Sequence, residues 1–189
     1  MESEWSWDRL DPLERKVADL LVQGRSNAAI CVEVFHSRAR VQECIKRILI
    51  KTGAHSTRAA IAILVEERET LSLLRVLDQA SDGVAIVQDR LLKFVNRALG
   101  SILGYDPEEL EGVPFVELAA PRSRDAQAER YDLRMKGEPF LGSYVVRAVC
   151  KGGQEKDLII TIGGLIQFRG RPAILGIAVP PAERRSDRH

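Results

Sequence analysis

The 189-residue sequence contains no apolar run approaching the roughly 18 to 20 residues that cross a bilayer. Its start, Met1 to Arg9, is acidic and carries Trp5 and Trp7, so it lacks the basic and apolar regions of a secretory leader. These two absences predict a cytoplasmic protein with no membrane partner. Cysteine is scarce and scattered: Cys31, Cys44 and Cys150 form no CxxC pair. That excludes a disulfide framework and argues against a structural zinc site. Histidine is equally thin, with His36, His55 and His189, which leaves little for a metal centre. Charge of one sign is lacking too: the net charge is +1, so any nucleic-acid surface must be a local patch. There is no Ser-His-Asp set, P-loop, kinase or cyclase motif, and no catalytic site is expected. With 45% hydrophobic and 29% charged residues, the chain is composed to fold.

What is present begins as short helices over about residues 10 to 66. Leu10, Val17, Leu20 and Leu21 recur at helical spacing, and Gly24 is placed to end the helix. Ser26 and Asn27 can cap a second helix with Ile30 and Val34. Ser37 can cap a third, on which Val41, Ile45, Ile48 and Thr52 keep one face until Gly53. Ser56 or Thr57 starts a fourth with Ala60, Ile61, Leu64 and Val65. Glu66 to Gln79 has no Gly or Pro and reads as a continuing or separate bridging helix.

Arg38, Arg40, Lys46, Arg47, Lys51 and Arg58 cluster on and beside the third helix, opposed only by Glu43. One apolar and one basic face is what a major-groove reader needs, although a solvated charged face has the same composition. Here the sequence resembles the LuxR-type helix-turn-helix. Leu10 and Glu14 match in the first helix, then Gly24-x-Ser26-Asn27-x-x-Ile30 and Phe35-x-Ser37, followed by Val41, Ile48, Lys51, Gly53 and Ala60. Sigma-factor region 4 shares the helical layout, but the Gly-x-Ser-Asn turn favours the LuxR type. The resemblance implies double-stranded DNA as partner, with Ser26, Asn27, Arg38, Arg40, Gln42, Glu43, Lys46, Arg47 and Lys51 at the interface. It places Gln42, Glu43 and Lys46 at bases, and it allows RNA polymerase as a further partner. The chain departs from the family at Arg40-Val41-Gln42, at Cys44 and at Arg47, which suggests an atypical operator. Cys44 is either a small semi-buried residue or a redox switch.

After Asp82-Gly83 the pattern changes. Val84 to Val87 and Leu91 to Val95 are β-rich runs around Gln88-Asp89-Arg90, a hairpin signal. A helical middle follows. Three strand-like runs close the chain, Phe140 to Cys150, Lys156 to Phe168 and Pro172 to Val179, before a polar tail. Leu158, Ile160 and Ile162 should share one face with Tyr144, Val146, Ala148 and Cys150 of the neighbouring strand. Val145, Val149 and Ile159 leave the other face apolar enough to need cover, from the bridging helix or a partner subunit.

Residues 72 to 180 resemble a PAS domain: Leu77-x-x-Ala80-x-Asp82-Gly83, Phe94-Val95-Asn96, and Leu103-Gly104-Tyr105-x-Pro107-Glu108-Glu109-Leu110-x-Gly112. A sensor domain is what the resemblance implies. The expected fold is α+β: an N-terminal all-α helix-turn-helix bundle over 1–66, a connecting helix over 67–80, a PAS-like antiparallel five-stranded sheet with flanking helices over 81–181, and a flexible tail over 182–189. Alternation points to an apolar cavity lined by Val95, Leu99, Leu103, Phe115, Leu118, Tyr144, Val146, Ile160 and Ile162. With no titratable partner among these, an uncharged apolar or aromatic ligand is expected. Tyr105, Tyr131 and Phe140 are further aromatic candidates, and plain core is the alternative for all of them. The cofactor is open, but a histidine-held haem has no ligand in this region, and a photoactive flavin lacks its Asn-Cys-Arg-type motif. A homodimer is expected through Leu64, Leu71, Leu74 and Leu77. The functional expectation is a ligand-responsive transcription regulator; the alternative is a constitutive one whose PAS domain serves only dimerisation.

Overall fold

The computed structural model describes residues 6–138 and 142–181. The chain divides into two compact units, Met1–Ser72 and Leu73–His189.

The first unit is all-helical. A single 3-10 turn, Trp7–Arg9, precedes α1 (Pro12–Val22), α2 (Asn27–Glu33), α3 (Arg38–Thr52) and α4 (Thr57–Asp78), and α4 runs past the unit boundary. Each start is chemically fixed. Asp11 and Glu14 form a reciprocal capping box, both bonds 2.8 Å, with Pro12 at the first helical position. Ser26 accepts from the Ala29 N–H at 3.2 Å and Ser37 from the Arg40 N–H at 3.3 Å. Gly53 closes α3 in the left-handed region at φ 68°. Leu10, expected in the first helix, lies just outside it, because Asp11 takes the cap; its side chain is still buried in the core with Val17, Ile30, Val41, Ile48 and Leu64. Residues 66–78, read as a continuing or separate helix, continue α4 without a break.

The second unit is a five-stranded antiparallel sheet with short helices on one face and the end of α4 on the other. The strands are β1 (Gly83–Gln88), β2 (Leu91–Val95), β3 (Ser143–Val149), β4 (Glu155–Phe168) and β5 (Arg171–Val179), in the order β2-β1-β5-β4-β3. Between β2 and β3 lie α5 (Arg97–Leu103), α6 (Pro107–Leu110), a 3-10 turn (Phe115–Leu118) and α7 (Arg124–Met135). Asp89 and Arg90 both have positive φ, 53° and 63°, which a two-residue hairpin of right-handed twist requires. The third strand begins at Ser143; Phe140 and the tail 182–189 lie outside the described residues.

Fully buried Asn96 locks β1, α5 and the segment before β1 together. Its Oδ1 accepts from the N–H groups of Val84 (2.8 Å) and Leu99 (3.0 Å), capping α5. Its Nδ2 donates to the carbonyls of Asp82 (2.8 Å), Leu77 (3.1 Å) and Ala80 (3.4 Å).

β4 carries a bulge. Ile162 pairs with Gly176 and Gly164 with Leu175, leaving Gly163 as the extra residue. Gly164 sits at φ 123°, where a side chain would be strained. The bulge reverses the faces: Leu158, Ile160 and Ile162 turn to the helices, but Ile166 and Phe168 join Ile86, Ala173 and Leu175 on the other side. Leu74 and Leu77 of α4 pack on that second cluster, supplying the cover its apolar surface needs. Val145 stays 60% exposed, so the cover is partial.

Candidate functional site

In the first unit α3 has two faces. Val41, Cys44, Ile45 and Ile48 are buried; Arg38, Arg40, Gln42, Glu43, Lys46 and Arg47 are exposed. Glu43 lies between two guanidiniums, 3.0 Å from Arg40 and 2.9 Å from Arg47. The hydrogen bond from Arg40, with the charges of both arginines, holds its carboxyl below the usual range. Arg47 also lies 4.0 Å from Asp11. Ser26 and Asn27 are exposed at the start of α2.

Lys51 is a different case. Its Nζ donates to the carbonyl of Arg9 at 2.8 Å and to Oε2 of Glu14, a fully buried carboxylate. The ammonium is therefore committed to joining α3 to α1, which removes it from the exposed row. The readable signal was the Asp-x-x-Glu capping box, which turns Glu14 inward. Cys44 is 3% exposed, and burial pushes its thiol up, the opposite of a reactive thiolate.

The four residues expected at a dimer contact have unlike surroundings. Leu64 is in the first core, Leu74 and Leu77 cover the sheet, and Leu71 is half-buried. A helical stripe packs on whatever is nearest, and here the chain's own cores take up Leu64, Leu74 and Leu77. The exposed apolar side chains on this helix are Leu73 (40%) and Val76 (67%).

Between its sheet and helices the second unit holds a cavity of about 130 Å³ that is partly open to solvent. Leu99, Leu103, Phe115, Leu118, Tyr144, Val146, Ile160 and Ile162 line it, as alternation and helical spacing predict. Val95 is buried in the adjoining core but does not reach the wall, where Ala85 and Leu92 stand. Tyr105 likewise packs on that core without lining the cavity.

Of the three α7 residues on the wall, Tyr131 was among the expected aromatic candidates, whereas Gln127 and Arg134 were not. Gln127, Tyr131 and Arg134, spaced at four and three residues, share one helical face and line the cavity. The expectation of a wall without titratable groups is therefore corrected. Arg134 is only 6% exposed, and its guanidinium carbon lies 5.1 Å from the Tyr144 ring centroid. Arg130, exposed, lies 4.5 Å from the same ring. The Tyr144 hydroxyl donates to Gln127 Oε1 at 3.3 Å, and Tyr131 Oη accepts from the Arg90 N–H at 3.3 Å. Phe115 packs tilted on Tyr131 at 5.4 Å. The cavity thus has apolar walls and one polar end, at α7 and β3. Among the described residues no cluster of His, Cys, Asp and Glu is placed to hold a metal ion, and no single helix is long and apolar enough to cross a membrane.

The second unit is thus a five-stranded antiparallel sheet with helices packed over a small apolar pocket. A family model for the PAS domain matches residues 72–134. Among solved structures, the chain is similar to the Rhodobacter sphaeroides LOV protein: TM-score 0.52 and 15% identity, over 62% of this chain and 70% of that one. It is also similar to a PAS domain from Desulfitobacterium hafniense (TM-score 0.49, 18% identity, 56% of this chain and 98% of that one). A third is a domain of a sensory box sensor histidine kinase/response regulator from Geobacter sulfurreducens (TM-score 0.47, 23% identity, 58% and 92%). At these identities the likeness is one of fold, and the second unit has a PAS-type fold. Among proteins with curated function, none matches the chain.

Proposed function

We propose that the chain is a cytoplasmic, homodimeric, DNA-binding transcription regulator whose PAS-fold unit responds to a small molecule with an apolar or aromatic body. The observation that carries this reading is the combination, in one chain, of an exposed basic helix face on α3 with an apolar cavity between sheet and helices. In this reading α2 and α3 form a LuxR-type helix-turn-helix. Arg38, Arg40 and Arg47 meet phosphates, while Gln42, Glu43 and Lys46 face base edges. Ser26 and Asn27 offer polar contacts at the start of α2. Glu43, which faces the base edges in this reading, also holds Arg40 and Arg47 in place. Ligand occupancy acts through α4, which has residues in both units, by favouring one of two arrangements. RNA polymerase is the downstream partner of such a regulator. A cavity of about 130 Å³ can seat a single ring, because an engineered void of about 150 Å³ holds benzene.

The test is a gel-shift titration of the full chain on a duplex selected from random sequence. Lys46→Ala and Arg47→Ala should each weaken binding, and the loss of a phosphate contact at Arg47 should lower the salt slope by about one. Wild-type affinity and slope in both variants would remove α3 from the interface. A monomer in sedimentation at micromolar concentration on that duplex would overturn the dimer.

A further inference from the structure

We infer that the cavity takes a neutral carbonyl compound: an apolar body whose C=O oxygen accepts a hydrogen bond from the side-chain amide of Gln127. This rests on the sensing role proposed above and deepens it by naming the class of guest. The polar side chains on the wall are Gln127, Tyr131, Arg134 and Tyr144. Arg134 already has a partner of its own, so the guest is not assigned to it. Among the described residues no other charged side chain lines the cavity, and an ionic guest would lose its hydration without compensation.

The three remaining groups differ in what they still have to give. The Tyr144 hydroxyl donates to Gln127 Oε1 at 3.3 Å, which spends its one proton. That bond engages the oxygen end of the amide. The nitrogen end, with two protons, donates to no acceptor among the described residues. Tyr131 Oη accepts from the Arg90 N–H at 3.3 Å, and its own proton likewise has no acceptor among them. Gln127 and Tyr131 stand four residues apart on α7, so they are neighbours on one helical face. Both are only 6% exposed, so bulk water meets little of their need. An idle lone pair is a common and cheap omission inside a protein, whereas a donor without an acceptor forfeits a hydrogen bond. A carbonyl oxygen answers both donors: it has two lone pairs, no proton of its own and no charge to desolvate. The rest of the wall, with Leu99, Leu103, Val146 and Ile160, is hydrocarbon and receives the body of the guest. The cavity is partly open to solvent, so the wall fixes the chemistry of the guest and leaves its length free.

The experiment is isothermal titration of the full chain with acetophenone and with isopropenylbenzene, in which a methylene group replaces the carbonyl oxygen. It is repeated with cyclohexanone and methylenecyclohexane. Gln127→Met, close in length and volume, should weaken each ketone about fivefold and leave each hydrocarbon within about twofold. If Gln127→Met does not fold by circular dichroism, the wild type decides. A wall of hydrocarbon alone would rank each pair as hexadecane and water partition them, and the amide contact should raise the ketone about tenfold or more above that ranking. Agreement with the partition ranking, or a Gln127→Met variant in which the ketone changes no more than its hydrocarbon, overturns the carbonyl contact and leaves an apolar sensing cavity intact. No binding of any of the four overturns the sensing role itself.

Discussion

Asn96 is the residue on which the second unit depends most, and its contribution can be worked out from its bonds. The side chain is fully buried and satisfies two backbone N–H groups and up to three carbonyls, on β1, on α5 and on the segment before β1. Asn96→Ala strips Val84 and Leu99 of their acceptor. Each buried donor left unsatisfied costs about 1–3 kcal/mol, and the loss of the α5 cap is contained in that figure, so the unit should lose roughly 3–5 kcal/mol. That is a large part of the roughly 5–15 kcal/mol that holds an ordinary domain together. Asn96→Asp separates the two halves of the contribution. It keeps both acceptor bonds but turns carboxylate oxygen toward the carbonyls of Asp82 and Leu77. The folded state then favours the protonated acid, so the folded pKa lies above the unfolded one. The folded form binds more protons, and stability falls as pH rises between the two values. Its defect should therefore be small in acid and large at neutral pH, relative to wild type at each pH. Urea unfolding reads this cleanly, because Tyr105, Tyr131 and Tyr144 all belong to the second unit, and both tryptophans lie in the first. A loss under about 1 kcal/mol for Asn96→Ala, or an Asn96→Asp defect that ignores pH, would refute the reasoning.

Lys51→Met leaves Glu14 buried without its cation and should cost the first unit about 2 kcal/mol, discounted because Lys51 itself is one-third exposed, while Lys46→Ala stays within about 0.5 kcal/mol; tryptophan-detected urea unfolding distinguishes them. The Lys151 ammonium, hydrogen-bonded to Glu109 at 2.6 Å, holds that carboxyl below its ordinary 4.5, and Glu109 holds Lys151 above its ordinary 10.5. The pair's contribution should be present between those two ordinary values, lost in acid as pH falls through the lowered Glu109 value and in base as it rises through the raised Lys151 value. Carboxyl NMR titration checks it, with Lys151→Gln returning Glu109 toward its ordinary value.

Most of the frame was legible in local chemistry. Ser26, Ser37 and Gly53 stand where caps belong, Asp89-Arg90 where a hairpin turns, and the alternation around Ile160 turns the right side chains inward. The misses share a cause, which is that contact across the fold overrides local texture. The α7 sequence, rich in Arg, Asp and Glu, reads as a solvated helix, so its inward Gln127 and Arg134 were invisible until the sheet faced them, while aromatic Tyr131 stood out. Lys51 looked like its basic neighbours until Glu14 was found within reach across α1. Val95 keeps the inward side, but an irregularity where Ile86 pairs with Phe94 and Val87 with Leu92 brings Leu92 to the wall instead. No periodicity announces such a step.

The bulge in β4 also bears on how this gene can change length. Ile162 already faces Gly176 and Gly164 already faces Leu175, so an in-frame loss of the codon for Gly163 leaves every β4–β5 pairing as it is and only straightens the strand. Loss of the codon for Ile160 instead shifts part of the strand by one step and turns a row of side chains to the wrong face. Among sequences descended from a common ancestor, length variation in this strand should therefore concentrate at the glycine pair, and the residues on either side should keep their hydrophobic order regardless of it.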